Sequence, residues 1–295
     1  MDKLIVIVGT NASGKSGLGV ELALRYGGEV VSADSRQVFR GLDLGSGKIA
    51  PEETRGVPHH LIDVCEPGDF FSMHDFQRLA YAAIDDIIQR GKLPFLVGGT
   101  GLYVACVTEG YVMSDSPPAL EYRAHLETFD TPALYRMLKE AIPDADVEPK
   151  NRNRVMRLLE KLHAGDDHAP GSRPRYDCLK LGVTWDRETL IQRIDERLKR
   201  RLDAGMIDEV RGLIERGVSV EFLKKLGLEY RFITRYLTGE ISDRGEMTEL
   251  LAIAIRQFAK RQMTWFRRDK EILWLDMEGD PVTQACGAID RFLNK

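Results

Sequence analysis

The octapeptide Gly9-Thr10-Asn11-Ala12-Ser13-Gly14-Lys15-Ser16 fits the pattern GxxxxGK[ST] at every fixed position. It follows an apolar β-rich run at residues 4–8 and opens a predicted helix at Lys15, which is the context the pattern needs. Glycine lets the backbone curl so that successive N–H groups point inward, and the helix N-terminus adds its positive end. Lys15 supplies a point charge, and the Ser16 hydroxyl suits a Mg²⁺ ion. Such a loop holds a di- or triphosphate as donor, leaving group or switch, and leaves the reaction open.

The elements that must carry this loop alternate between strand and helix. Strands are predicted over residues 4–8, 29–32, 60–64, 93–97, 179–185 and 272–275, and helices over 15–26, 76–89 and 187–204. The alternation implies βαβ crossovers and a mostly parallel sheet. Residues 117–172 read differently, as helices over 120–128, 132–141 and 151–164 with no strand, closing in a loop at 166–172. The expected architecture is an α/β core of residues 1–114 and 173–295, interrupted by a helical insertion over 115–172.

Composition narrows the class. The 295 residues carry 42 Lys+Arg against 46 Asp+Glu, a net charge of −4, with 43% hydrophobic residues. That mixture excludes a disordered or collagen-like chain. No apolar run reaches the roughly 20 residues of a membrane span. Cys65, Cys106, Cys178 and Cys286 are far apart, which argues against a disulfide scaffold or zinc ribbon and for a reduced, cytoplasmic protein.

Further motifs narrow the reaction. Ser32-Ala33-Asp34-Ser35-Arg36-Gln37-Val38-Phe39, Leu42-Asp43-Leu44-Gly45-Ser46-Gly47-Lys48, Pro58-His59-His60-Leu61-Ile62-Asp63 and Val97-Gly98-Gly99-Thr100-Gly101-Leu102-Tyr103 stand in that order. Near the end comes Arg256-Gln257-Phe258-Ala259-Lys260-Arg261-Gln262-Met263-Thr264-Trp265-Phe266-Arg267. With the phosphate loop, these segments resemble the tRNA dimethylallyltransferases, whose corresponding motifs are SxDSxQVY, DIGTAK and RQxAKRQxTWxR. The resemblance runs from about Leu4 to Leu275.

The resemblance implies a core like that of P-loop NTPases and transfer of a dimethylallyl group from its diphosphate to N6 of an adenine beside the anticodon. Asp34, at a strand end where open α/β sheets place their ligand crevice, would orient the amine and take its proton. Thr100 stands at the same rim and would hydrogen-bond the same amine or the diphosphate, which with Lys15 and Asp34 makes it a candidate catalytic residue. Lys15, the loop amides and Mg²⁺ would stabilise the leaving diphosphate. The resemblance also assigns RNA contacts to Asp34, Ser35, Arg36, Gln37, Thr100, Arg123, Asn153, Arg154, Val155, Met156 and Arg157. Tyr230 and Arg231 match its RxxGYR segment and are expected to contact the tRNA as well.

Residues read directly add to this. Two stretches are locally basic, 150–161 and 256–268, and the second places Gln257, Lys260, Arg261, Gln262 and Trp265 where they could bond or stack on splayed bases. The stretch 193–201 is mixed, diluted by Asp195 and Glu196. Asp34 has a second reading as a helix cap, Thr100 as a turn residue, and His59 and His60 as packing residues. The chain departs from the resemblance at Thr10, Asn11 and Ser16, where GPTASGKT is common, and at Leu226, which takes an arginine position; nearby Lys224 and Lys225 lack its planar fork. A P-loop kinase, a prenyltransferase for free nucleotides and a non-catalytic RNA-binding protein are the alternatives. A monomer is expected.

Overall fold

The computed structural model describes residues 1–113, 119–165 and 171–294. The expected boundary at 114 and most of the 166–172 loop lie outside them. In chain order the elements are β1 (Asp2–Val8), α1 (Lys15–Tyr26), β2 (Glu29–Ser32), a 3₁₀ turn (Pro51–Thr54), β3 (His59–His60), α2 (Met73–Gln89), β4 (Pro94–Gly98) and α3 (Gly101–Thr108). Then come β5 (Tyr111–Val112), α4 (Leu120–Glu127), α5 (Thr131–Ala141), α6 (Arg152–His163) and β6 (Gly171–Ser172). The chain continues through β7 (Tyr176–Thr184), α7 (Arg187–Asp203), α8 (Met206–Glu215), α9 (Val220–Leu226), α10 (Leu228–Leu237), α11 (Arg244–Phe266), β8 (Leu273–Asp276) and α12 (Pro281–Leu293). It divides into two compact units, one of Met1–Gly110 with Pro174–Lys295 and one of Tyr111–Arg173.

The larger unit is built on a six-stranded sheet of order β3-β2-β4-β1-β7-β8, with every pair parallel. Parallel strands covered on both faces read as continuous apolar runs, and Leu4 to Val8 are all buried. Ile5, Ile7, Phe95, Val97, Leu181 and Val183 pack with α1 and α12, while α2 and α3 lie against β4. A second core joins α7 to α11 with Val38, Phe39 and Leu42. Side-chain caps begin many of the helices: Ser72 and Asp75 form a reciprocal box on α2, and Asp186, Asp243 and Asp280 accept amides at α7, α11 and α12.

Two expectations need correction. The strand expected over 60–64 ends at His60, because Leu61 and Asp63 adopt left-handed backbone, and the Asp63 and Val64 amides donate to Gln37 and Val38 rather than to a ladder. The helical segment is not free of strands, since Tyr111–Val112 pairs antiparallel with Gly171–Ser172. The smaller unit has its own core, with Leu126, Leu134, Leu138, Val155, Met156 and Leu159 buried together.

At the start of β2, Glu29 is only 2% exposed and receives bonds from Arg90 (2.5 and 2.8 Å), Lys92 (2.7 Å) and His60 (2.8 Å). Arg90 foremost, then Lys92 and His60, hold its carboxyl well below the usual range, against the opposing effect of burial. Its stabilisation is therefore complete above the unfolded-state value of 4.5 and is lost as pH falls below that. Glu29→Gln is expected to cost about 2 kcal/mol at neutral pH. Denaturant titrations of both proteins are expected to converge as the solution is acidified; a gap independent of pH would contradict the ion-pair account.

Candidate active site

The phosphate loop leaves β1 at Gly9 and enters α1 at Lys15. Ala12 and Gly14 both take left-handed backbone, with φ of 62° and 90°. A Cβ at Gly9 would stand 2.5 Å from Val183 Cγ2, so the loop passes directly over β7. Lys15 Nζ donates to the Thr10 carbonyl at 3.3 Å, and Ser16 is exposed on the first turn of α1. Burial, then the neighbouring Arg197, push the Lys15 amine down to about 8, while Asp34 pulls it upward.

Three strands deliver residues to one crevice. β1 ends in the loop, β2 in Ala33 and Asp34, and β4 in Gly98-Gly99-Thr100. Lys15, Ser16, Ser32, Asp34 and Gln37 line the crevice with apolar Val30, Ile49, Ile62 and Val97. Asp34 caps no helix: its Oδ1 accepts the Arg36 amide at 2.9 Å and closes a turn. Thr100 begins α3 without a side-chain cap, and its hydroxyl oxygen accepts the Ser35 amide at 3.2 Å, tying the end of β4 to that of β2. Gly98 permits this approach, since a Cβ there would lie 2.2 Å from the Ala33 oxygen. Arg36 bonds Ser35 Oγ (2.7 Å) and the Leu226 carbonyl (3.0 Å), so the position where an arginine was expected serves through its backbone. Gln37 accepts from the Ser32 hydroxyl and donates to the Gly47 carbonyl.

The C-terminal basic block is only partly a free surface. Gln262 is buried and clips the site: its Oε1 accepts the Asn11 amide at 3.0 Å and its Nε2 donates to the Gly99 carbonyl at 2.8 Å. Arg256 is paired with Asp195 at 2.5 and 3.0 Å. Gln257, Lys260 and Arg261 are exposed on α11, and Trp265 lies against Gly101.

Three residues expected to touch RNA are core residues. Tyr230 is fully buried with its hydroxyl on Glu209, and Val155 and Met156 belong to the core of the smaller unit. Arg231 is exposed and bonds the Lys224 carbonyl. In the smaller unit Arg123 and Arg157 both pair with buried Glu160, at 2.9 and 3.3 Å, while Asn153 and Arg154 are exposed on α6. His59 bonds the Val57 carbonyl, and Lys48 holds Asp63 at 2.5 Å.

Sequence reading placed the helix α7 but missed what its arginines do. Arg193 Nε donates to the Ala12 carbonyl (3.0 Å) and its guanidinium stacks on Trp185 (4.3 Å), whose indole N–H donates to the Ser13 carbonyl (2.8 Å). Arg197 reaches the Gly47 carbonyl (3.1 Å), and Arg201 the Leu44 carbonyl. Their i, i+4, i+8 spacing puts all three on one helix face and was the available signal; of the acids that dilute the stretch, Asp195 is paired with Arg256.

Comparison with known proteins agrees with this geometry. The IPP transferase family profile matches residues 37–269, and a second profile, isopentenyl transferase, matches residues 2–68. The chain belongs to the IPP transferase family. Within it, the chain is 43% identical over 288 residues to tRNA dimethylallyltransferase 1 of Geotalea uraniireducens, covering 96% of this chain and 95% of that protein. The tRNA dimethylallyltransferase of Exiguobacterium sp. is 42% identical over 283 residues, covering 93% and 90%. Among solved family structures, the tRNA isopentenylpyrophosphate transferase of Bacillus halodurans superposes with a TM-score of 0.74 at 38% identity, covering all of this chain and 96% of that one. A eukaryotic dimethylallyltransferase acting on tRNA gives a TM-score of 0.82 at 26% identity, covering all of this chain and 80% of that one. The P-loop-type α/β core is thus the family's.

Competitive acetylation of lysine amines, read by mass spectrometry across pH, is expected to titrate Lys15 with a midpoint at about 8 rather than 10.5. Asp34→Asn is expected to move that midpoint lower, because the Asp34 charge favours the protonated amine. An unshifted midpoint in the wild type would contradict the crevice electrostatics.

Proposed function

We propose that this enzyme transfers a dimethylallyl group from dimethylallyl diphosphate to N6 of the adenine immediately 3′ of the anticodon in tRNA, releasing diphosphate. The observation that carries the reading is the convergence of Lys15 and Asp34 on one crevice at the ends of β1 and β2, with Thr100, past the end of β4, bonded to Ser35 next to Asp34. An adenine amine is a poor nucleophile, its lone pair delocalised into the ring. Asp34 holds it and takes its proton as the C–N bond forms. Lys15, the loop amides and Arg197 meet the charge that builds on the diphosphate as the C–O bond breaks. The apolar wall of Val30, Ile49, Ile62 and Val97 suits a C5 group. The bond broken is at carbon, so a kinase-type phosphoryl transfer has no place in this scheme. The tRNA-acting relatives favour tRNA over a free nucleotide as acceptor.

The family's diphosphate chemistry suggests a divalent cation. No cluster of three His, Cys, Asp or Glu side chains stands ready among the described residues. The Ser16 hydroxyl, exposed beside the loop, would hold the ion together with diphosphate oxygens, a donor set that fits Mg²⁺. The cation would neutralise charge on the leaving group. Arg154, Asn153, Gln257, Lys260 and Arg261 offer exposed polar and cationic groups to the anticodon stem-loop; Arg123 and Arg157 do so from their anchor on Glu160. No helix among the described residues is long and apolar enough to cross a membrane, and we place a monomeric enzyme in the cytoplasm.

Nucleoside mass spectrometry of tRNA incubated with enzyme and dimethylallyl diphosphate is expected to reveal N6-dimethylallyladenosine; ADP release with a phosphorylated product in its place would overturn the proposal. Asp34→Asn keeps shape but cannot take up a proton at neutral pH. It is expected to lower the single-turnover rate by about 10²–10⁴-fold, with thermal stability and tRNA affinity little changed. A wild-type rate would remove Asp34 as the base.

Arg154→Ala is expected to weaken tRNA binding and to reduce the slope of log K against log salt by about one. Unaltered affinity and slope would make Arg154 part of a solvated helix face.

A further inference from the structure

The segment from Asp43 to Lys48 turns back beside the crevice, seated on α8 and α10. Three consecutive backbone N–H groups, those of Asp43, Leu44 and Gly45, donate to the Glu209 carboxylate at 3.0, 2.6 and 2.9 Å. The Tyr230 hydroxyl donates to the same carboxylate at 2.9 Å. Successive amides aimed at one point form a concave anion site of the kind that elsewhere takes phosphate. Here a side chain of the protein fills it. Gly45 rests on the Tyr230 ring so closely that a Cβ would stand 2.3 Å from Cζ.

The consequence appears two residues on. The Gly47 carbonyl accepts from Gln37 Nε2 at 3.2 Å and from Arg197 Nη2 at 3.1 Å. Gln37 Oε1 meanwhile accepts from the Ser32 hydroxyl at 3.0 Å. The amide is held at both ends, oxygen toward Ser32 and nitrogen toward Gly47, and one N–H and one lone pair remain unspent in the crevice. Were the Gly47 carbonyl to move, the amide would be free to rotate, and donor and acceptor would exchange places before any base that enters.

We propose that Glu209 is a positioning residue for the transfer reaction: by clamping Asp43, Leu44 and Gly45 it sets the Gly47 carbonyl, which orients the Gln37 amide and the Arg197 guanidinium. The inference rests on the prenyl-transfer reading above. Glu209→Gln keeps the shape but places an N–H donor against backbone N–H donors. With enzyme in excess over tRNA, its single-turnover rate constant is expected to fall by about 10- to 100-fold, the scale of a small misplacement at a reacting centre. The rate constant at saturating enzyme is the readout, since it does not depend on the folded fraction while folded enzyme still exceeds tRNA. Hydrogen exchange at the Asp43, Leu44 and Gly45 amides is expected to accelerate in the same variant.

The deciding measurement is a cycle with Gln37→Ala. If Glu209 acts through Gln37, that substitution costs a smaller factor in the Glu209→Gln background than in the wild type. An equal factor in both backgrounds, or a wild-type rate constant in Glu209→Gln, overturns the proposal. If Glu209→Gln does not fold, Gly45→Ala, which lifts the same segment off Tyr230, takes its place in the cycle with the same two outcomes. A wild-type enzyme that forms no prenylated tRNA under these conditions is a separate result, and overturns the transfer reading itself.

Discussion

Around the phosphate loop the cations are tethered by neutral oxygens rather than by carboxylates. Lys15 rests on the Thr10 carbonyl, Arg193 on that of Ala12 and Arg197 on that of Gly47. A carbonyl fixes the geometry of a cation but leaves its charge uncancelled. Elsewhere in the chain the opposite holds: Arg90 and Lys92 are spent on Glu29, Arg256 on Asp195, and Arg123 with Arg157 on Glu160. A protein with a net charge of −4 can therefore keep uncancelled cations at this crevice, facing Asp34, while many of its other acids are paired elsewhere. The lowered Lys15 and Arg197 values are a mark of this arrangement, since each cation feels burial and the repulsion of its neighbours.

The rest of the core serves to keep that charge in place. The loop itself takes left-handed backbone at Ala12 and Gly14, which its surroundings must hold. Support comes from three directions: Trp185 and Arg193 beneath the Ala12 and Ser13 carbonyls, Gln262 bridging Asn11 to Gly99, and Thr100 joining the rim at Ser35. These struts come from β7, α7, α11 and β4, so the sheet order determines which helices stand near enough to help.

Much of this was legible in the amino-acid sequence, for a physical reason. The phosphate loop, the helix from Lys15 to Tyr26 and the strand from Glu29 to Ser32 are local structures, set by glycine placement and apolar runs, and they fall where the pattern puts them. The 60–64 segment failed because its amides are captured by Gln37 and Val38, a tertiary event that β-propensity does not register. Gln262 read as a residue free to bond RNA, since neither its partner at Asn11 nor that at Gly99 can be seen from its neighbours in the chain. Tyr230 stands inside a matching segment, and Val155 and Met156 inside a stretch to which the resemblance assigns RNA contacts, but such a match does not say whether a side chain faces ligand or core. Arg193 and Arg197 were obscured by counting charge along the chain instead of around the helix.

The Gln262 bridge also bears on how the protein is made. Asn11 and Gln262 are 251 residues apart, and β1 gains its β7 neighbour only when Tyr176–Thr184 has been synthesised. A nascent chain displays the phosphate loop well before α7 and α11 are made, and so without the amide that joins it to Gly99 or the arginines that underlie it. Competence thus waits for α11, and truncated chains lacking it carry the motif without its complete set of supports.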